Sequence, residues 1–312
     1  MHALTERANG MVEMAYMGEV PWHGLGQRLT EGASIEAWQQ EAGMDWLVKR
    51  SRVRFGEAEV FNEHHVLFRS DTKAPLGIVG EGYKIVQPPE VLEFFRDLVA
   101  DSGFTLHTAG TMFGGKRFWA LASINESACI LGQDRVDGYL LLTTSCDGSM
   151  ATTAKFTTVR VVCNNTLSMA LSSKDAGDIK ISHRTSFNHA AVKDRLGIVT
   201  NSFASFVQAS RMLSNRPVSQ MRASELTQQL MIGGTEKEDV KESKGYKGII
   251  QLFNGGKGNN GESLWDWVNG VTEYVDHGMN AKSESHRLAN SWYGAGDSLK
   301  TKAMGMALEL CK

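Results

Sequence analysis

The pattern of apolar and polar positions changes period several times along the chain, and each change marks an element. Through residues 45–55, 64–69 and 76–86 it is strand-like, broken in the last run by Gly80 and Gly82. From Pro88 the period lengthens. Val91, Leu92, Phe95, Leu98 and Val99 recur at i, i+3/i+4 spacing and predict a helix to about Ala100. Pro88-Pro89 suits its first turn, where the missing N–H is not needed. A hairpin follows, pairing 104–111 with 117–124 across a Met112-Phe113-Gly114-Gly115-Lys116 tip, whose glycines permit positive φ. Further strands are expected over 139–144 and 152–162, on either side of a Cys146-Asp147-Gly148-Ser149 turn. Asn164-Asn165 then offers a cap for a helix to about Leu171. A short strand over 179–183 precedes a long helix, 188–213, striped by Val192, Leu196, Val199, Phe203, Phe206 and Leu213.

The ends of the chain read differently. The first 30 residues look irregular, after which Ser34 caps a short helix through Ala42 that Gly43 stops. Beyond Pro217 a helix is expected over 224–231. The tracts 233–239 and 254–261, rich in glycine and polar residues, read as loops or partly disordered segments. Ser263 and Asp266 form a capping pair before Trp267, Val271, Tyr274 and Val275, and Ser298 starts a last helix. No repeat is visible. The fold class expected is α+β: a strand-rich core with antiparallel hairpins packed on one long helix, plus a helical C-terminal part. The division expected is 1–217 for the core and 218–312 for the helical region with its glycine-rich loops.

Composition narrows the class. Apolar residues make up 42% of the 312, enough for a core without staples. No apolar stretch approaches the roughly 20 residues of a membrane helix, and the first residues lack an apolar secretory segment. Cys129, Cys146, Cys163 and Cys311 are too scattered for a CxxC site and read as free thiols of a cytoplasmic protein. Net charge is −2, but unevenly spread. Residues 155–217 carry nine basic and three acidic side chains, a balance of +6 that leaves −8 elsewhere. Lys49-Arg50-Ser51-Arg52-Val53-Arg54 is a second basic cluster. A local cationic site on an acidic chain is a pattern suited to a polyanion; a merely solvated face is the plainer account.

Motifs for chemistry fail at definable points. The run from Gly110 to Lys116 matches seven positions of a phosphate-binding loop, but Arg117 stands where Ser or Thr would hold magnesium. Phe118-Trp119-Ala120-Leu121 then reads as a strand, not the helix such a loop requires. His64 and His65 point to opposite faces of a strand. There is no HExxH or GxSxG, and Asp134 and Asp137 have no base or ligand set beside them. No catalytic residue, metal or cofactor is expected. The candidate binding segment is instead Lys155 to Arg184. There a strand bearing Lys155 and Arg160 leads to Asn164 and Asn165 at an expected helix N-terminus, where unpaired amides favour phosphate. A later strand brings Lys180, His183 and Arg184, and Lys116 and Arg117 sit on a flanking hairpin tip.

Several stretches together resemble a phage/plasmid-like protein family of unknown function. They are Val20-Pro21-Trp22-His23-Gly24-Leu25-Gly26, the Cys146–Ser149 turn, the run from Val159 to Leu167, His183-Arg184-Thr185, and the run from Val271 to His277. The resemblance covers about residues 9–310. The order of elements is also similar to that of single-strand annealing recombinases of the RecT/Redβ and eukaryotic Rad types, an analogy of fold and context rather than of motif. It implies a single-stranded DNA-binding, annealing-type recombination protein. Such a protein acts as a homo-oligomeric ring or filament, without catalytic residues or a membrane, beside a phage or plasmid exonuclease or single-strand binding protein. The alternative is a protein-interaction factor that inhibits a host defence or replication enzyme, with Trp265, Trp267, Tyr274, Trp292 and Tyr293 as its working face. A third possibility, a metal-dependent nuclease, needs acids that meet only in the fold.

Overall fold

A computed structural model describes residues 4–7, 9–18, 24–57, 59–101, 103–132, 134–160, 165–168, 179–192, 202–232 and 237–312. The chain forms two compact units. One comprises residues 1–125, 139–155 and 178–198, and the other 126–138, 156–177 and 199–312. The architecture is mixed α and β, with antiparallel sheets and a helical C-terminal part.

The first unit is built on a sheet with strand order β9-β8-β7-β6-β1-β2. These strands are β1 (Met14–Met17), β2 (Gln27–Leu29), β6 (Thr105–Met112), β7 (Arg117–Cys129), β8 (Arg135–Ser145) and β9 (Thr152–Arg160). The last residues of β7 and β9 and the first of β8 belong to the second unit. β11 (Ile179–Ile181) pairs antiparallel with the start of β9. Tyr139 to Ser145 of β8 are all buried, so this strand is covered on both faces, which explains its unbroken apolar run. The expected β6–β7 hairpin forms, with Thr111 opposite Phe118. Phe113, Gly114 and Gly115 turn it with φ of 56°, 73° and 89°. Gly115 is required twice over, since a Cβ there would lie 2.8 Å from the Trp46 ring and 2.9 Å from the Arg69 guanidinium.

A separate antiparallel sheet has the order β3 (Val48–Phe55), β4 (Glu59–Arg69), β5 (Pro75–Gly80). Its root is fixed by a buried ion pair. Arg69 ends β4 and donates to both oxygens of Glu13, at 3.0 and 2.7 Å, and both side chains are only 4% exposed. Arg69 also binds Asp71 and lies 4.2 Å over the Trp46 ring, while Thr111 of β6 donates to Glu13. Bidentate geometry and the added donors offset the cost of burying both charges. Helices α1 (Ile35–Glu41) and α2 (Pro88–Asp101) belong to this unit. Ser34 caps α1 as expected, accepting the Ala37 N–H at 3.2 Å.

The second unit is helical: α3 (Ser202–Ser214), α4 (Gln220–Met231), α5 (Lys237–Glu242), α6 (Lys244–Gly255), α7 (Leu264–Glu273), α8 (Glu284–Tyr293) and α9 (Ala295–Glu309). α7 is buried along its whole length and carries the expected Ser263–Asp266 capping box. At Gly270 a Cβ would meet the Phe253 backbone nitrogen at 2.8 Å, so α6 and α7 touch through their backbones. After α7 the helix widens to one π-helical turn, Tyr274–Gly278. Within it, Asp276 accepts from Lys300 at 2.8 Å. Lys300, 1% exposed, also donates to the Thr166 carbonyl (2.6 Å), the Thr166 hydroxyl (2.9 Å) and the Ser291 hydroxyl (3.0 Å).

Several expectations are corrected. Residues 165–168 do not begin a helix but form β10 (Asn165–Ser168), antiparallel to the end of β9. The Thr166 N–H is taken by the Asp276 carboxylate, a bond that a sequence pattern cannot reveal. The irregular first 30 residues contain β1 and β2. Residues 237–239, expected as loop, begin the helix α5 (Lys237–Glu242), and α6 and α8 were not expected. The last helix starts at Ala295, ahead of Ser298. The long helix expected over 188–213 is described as helix at 189–192 and as α3, with 193–201 outside the described residues.

Arg69→Ala strands the Glu13 carboxylate without its cation and is expected to cost about 3–5 kcal/mol in urea denaturation, whereas Glu13→Gln/Arg69→Met recovers most of that. A loss below about 1 kcal/mol for Arg69→Ala contradicts the role given to this pair. Burial pushes the Cys146 thiol up to about 12, while Cys129 is exposed. Cys129→Ser therefore removes one fast-reacting thiol at pH 8 and Cys146→Ser removes none. The folded thiol stays protonated above the ordinary value of 9.0 at which the unfolded one ionises. Its contribution to stability is thus full below pH 9 and lost as pH rises towards 12.

Candidate nucleic-acid interface

The segment from β5 to the turn after β11 holds the site. Beyond Gly80 the chain leaves the β4 ladder, and Tyr83 and Lys84 run beside the residues that follow β11. The His183 ring fastens this crossing. Its Nδ1–H donates to the Lys84 carbonyl at 2.9 Å, and Nε2 lies 3.4 Å from the Thr144 hydroxyl of β8. One face of the ring stacks on Tyr83, with centroids 4.5 Å apart and planes 15° apart. The Tyr83 hydroxyl donates to the Ser145 carbonyl at 2.9 Å, and burial pushes this phenol above its ordinary range.

Above this stacked pair lies an open cleft of about 1020 Å³. It is lined by Gly148, Ser149, Met150 and Ala151 of the turn after β8, by Lys180, Ser182, His183 and Arg184, and by Gly80, Gly82 and Tyr83. Lys180 and Arg184 are the charged residues of this lining, and both are exposed. Two further cations reach its margin. Arg117 donates to the Ser149 hydroxyl at 3.2 and 3.1 Å, and Arg50 of β3 donates to the Tyr83 carbonyl. Glu81 and Asp147 are the nearest acids in sequence. The Asp147 carboxylate is engaged by the Ser149 N–H at 2.9 Å.

The predicted residues therefore separate. Lys180, His183 and Arg184 line one cleft, and Arg117 joins it through Ser149. Lys116 is exposed on the hairpin tip and is not part of the lining. Lys155 is not a surface cation: it is 4% exposed, because β9 is covered on both faces, and Thr152, Thr153, Thr157 and Thr158 are buried with it. His183 is likewise buried, and its ring positions Tyr83 rather than facing phosphate. Arg160 and Asn165 pair in the β9–β10 ladder, so no helix N-terminus is offered there. Asn164 and the side chains of Arg160 and Asn165 lie outside the described residues. Sequence reasoning missed Tyr83, Ser149 and the part played by Arg50. Gly80 and Gly82 around Glu81 were the available sign that the chain departs from regular pairing just before an aromatic residue.

Other chemistry is not assembled among the described residues. No group of three or more His, Cys, Asp or Glu is placed to hold a metal ion, and no helix is long and apolar enough to cross a membrane. The aromatic face proposed for a protein-interaction factor is largely core: Trp265, Trp267 and Trp292 are buried. The Trp265 and Trp267 indole N–H groups donate to Asp134 (2.7 Å) and Thr227 (2.9 Å).

Residues 75–292 match the family model described as a domain of unknown function, DUF932, and the chain belongs to that family. No curated protein and no solved structure matches it.

Proposed function

We propose that this member of the family binds single-stranded nucleic acid along the cleft between Ser149 and Arg184. The observation that carries the reading is the cleft itself. It is open, its charged lining residues are the cations Lys180 and Arg184, and an aromatic pair lies beneath them. A phosphate backbone lying in it meets Lys180 and Arg184, the Ser149 and Ser182 hydroxyls and the backbone of the 148–151 turn. Arg117 and Arg50 add positive potential at the margin. Binding of this kind needs no catalytic residue, since cations and polar groups release counterions from the strand without breaking bonds.

The finer part of the proposal is annealing of complementary DNA strands by a ring or filament of subunits. Its support is the sequence resemblance to phage and plasmid proteins and the analogy with annealing recombinases drawn from the expected order of elements. An exonuclease or single-strand binding protein from the same element is the partner this implies.

For the wild-type chain, the logarithm of the affinity for oligodeoxythymidine is expected to fall with that of salt concentration, by about 0.7 for each phosphate engaged. Lys180→Ala/Arg184→Ala lowers that slope by about 1.4, which fluorescence anisotropy across a salt series measures. Unchanged affinity and slope in the double variant remove the cleft assignment. Negative-stain images of the protein with oligonucleotide test the finer part: rings or filaments support annealing, and discrete single subunits on DNA oppose it.

A further inference from the structure

We infer that the outer end of the β3–β4 ribbon is a base-stacking platform for the same single strand, a second contact region beyond the cleft. The inference rests on the reading of the cleft as a nucleic-acid site and adds what the bases do. Three observations carry it.

First, Phe55 and Phe61 are 56% and 41% exposed, although large apolar rings normally seek cover. They are ordered against each other. Their centroids lie 6.4 Å apart edge to face, and the Phe61 ring stacks on His64 at 5.1 Å with planes 18° apart. Second, a bulge builds this arrangement. Arg52 pairs with His65, yet the next residue, Val53, pairs with Phe61. Asn62, Glu63 and His64 are therefore extra on β4, and the bow they form brings His64 over Phe61. Bulges of this kind re-aim side chains. Third, the platform continues from the cleft. Arg50 donates to the carbonyl of Tyr83, which lines the cleft, and Phe55 lies five residues further along β3, about 17 Å at strand rise. Arg52 and Arg54 stand exposed on that stretch of β3, on the face that Phe55 does not share.

Cations on an edge strand also guard against unwanted strand pairing. That explains the arginines but not the exposed rings, which work against such a guard. Glu57, Glu59 and Glu63 lie on the same ribbon and are exposed, so the platform is not a strong electrostatic site. Its grip must come from π-faces, which take any unpaired base and leave duplex bases untouched. The platform therefore contributes affinity without adding to the salt dependence, unlike the cleft.

Two measurements on the full chain test this. Anisotropy with oligodeoxythymidine should show Phe55→Ala/Phe61→Ala weakening binding at least fivefold, with the salt slope unchanged and the duplex affinity unaffected. Phe55→Tyr/Phe61→Tyr should keep wild-type affinity, because the π-faces remain. On the wild-type protein, photocrosslinking of iododeoxyuridine oligonucleotides should give adducts within residues 55–64. Full affinity in the double alanine variant, equal loss of duplex binding, or adducts confined to other segments overturns the platform while leaving the cleft intact. No binding by the wild-type chain instead overturns the cleft reading, and the platform falls with it.

Discussion

The first unit depends on one buried guanidinium. Arg69 meets Glu13, Asp71 and the Trp46 ring, and Glu13 in turn holds Thr111 of β6. Four stretches distant in sequence are pinned at one point: the approach to β1, the entry to β3, the end of β4 and the end of β6. The hairpin tip then closes over Arg69 and Trp46, which leave no room for any residue but glycine at 115. The carbonyl of Lys116 in that tip accepts the Cys146 N–H at 2.9 Å, fixing the start of the 146–149 turn. The cleft wall at Ser149 thus inherits its position from an ion pair that never touches it.

How much of this was legible depended on the range of the forces involved. Local ones were readable. Ser34, Ser263 with Asp266, and the Gly114-Gly115 tip encode their own turns and caps within a few residues, and the helices and hairpin they predict are present. Non-local ones were not. Asn164-Asn165 has the chemistry of a helix cap, but the carboxylate of Asp276, 110 residues beyond Thr166, and the ladder with β9 draw residues 165–168 into a strand. Lys155 has the chemistry of a surface cation, and only the three-dimensional coverage of β9 decides otherwise. β1 is four residues long and was unreadable for the same reason, since its identity lies in its neighbours, β6 and β2.

The candidate site followed the same division. Lys180 and Arg184 were visible as basic residues near a strand end, and both line one cleft. What charge counting could not give was the neutral part: the 148–151 turn that shares the lining, and a histidine whose ring is committed to holding Tyr83. Charge density along a sequence locates cations, but a binding surface also needs concavity, and concavity is set by residues that carry no charge at all.

The Lys300 cluster has a consequence for the order in which the chain folds. Asp276 is a buried carboxylate, and Thr166 lies 134 residues before the lysine that satisfies its carbonyl. Until synthesis has passed Lys300, the cation that pairs with Asp276 is missing, and closing around an unneutralised Asp276 is costly. Every segment of the first unit, by contrast, has been made by residue 198. A nascent chain can therefore complete the β-rich unit early, while β10 waits for a partner still to be translated. The second unit is timed by its last helix.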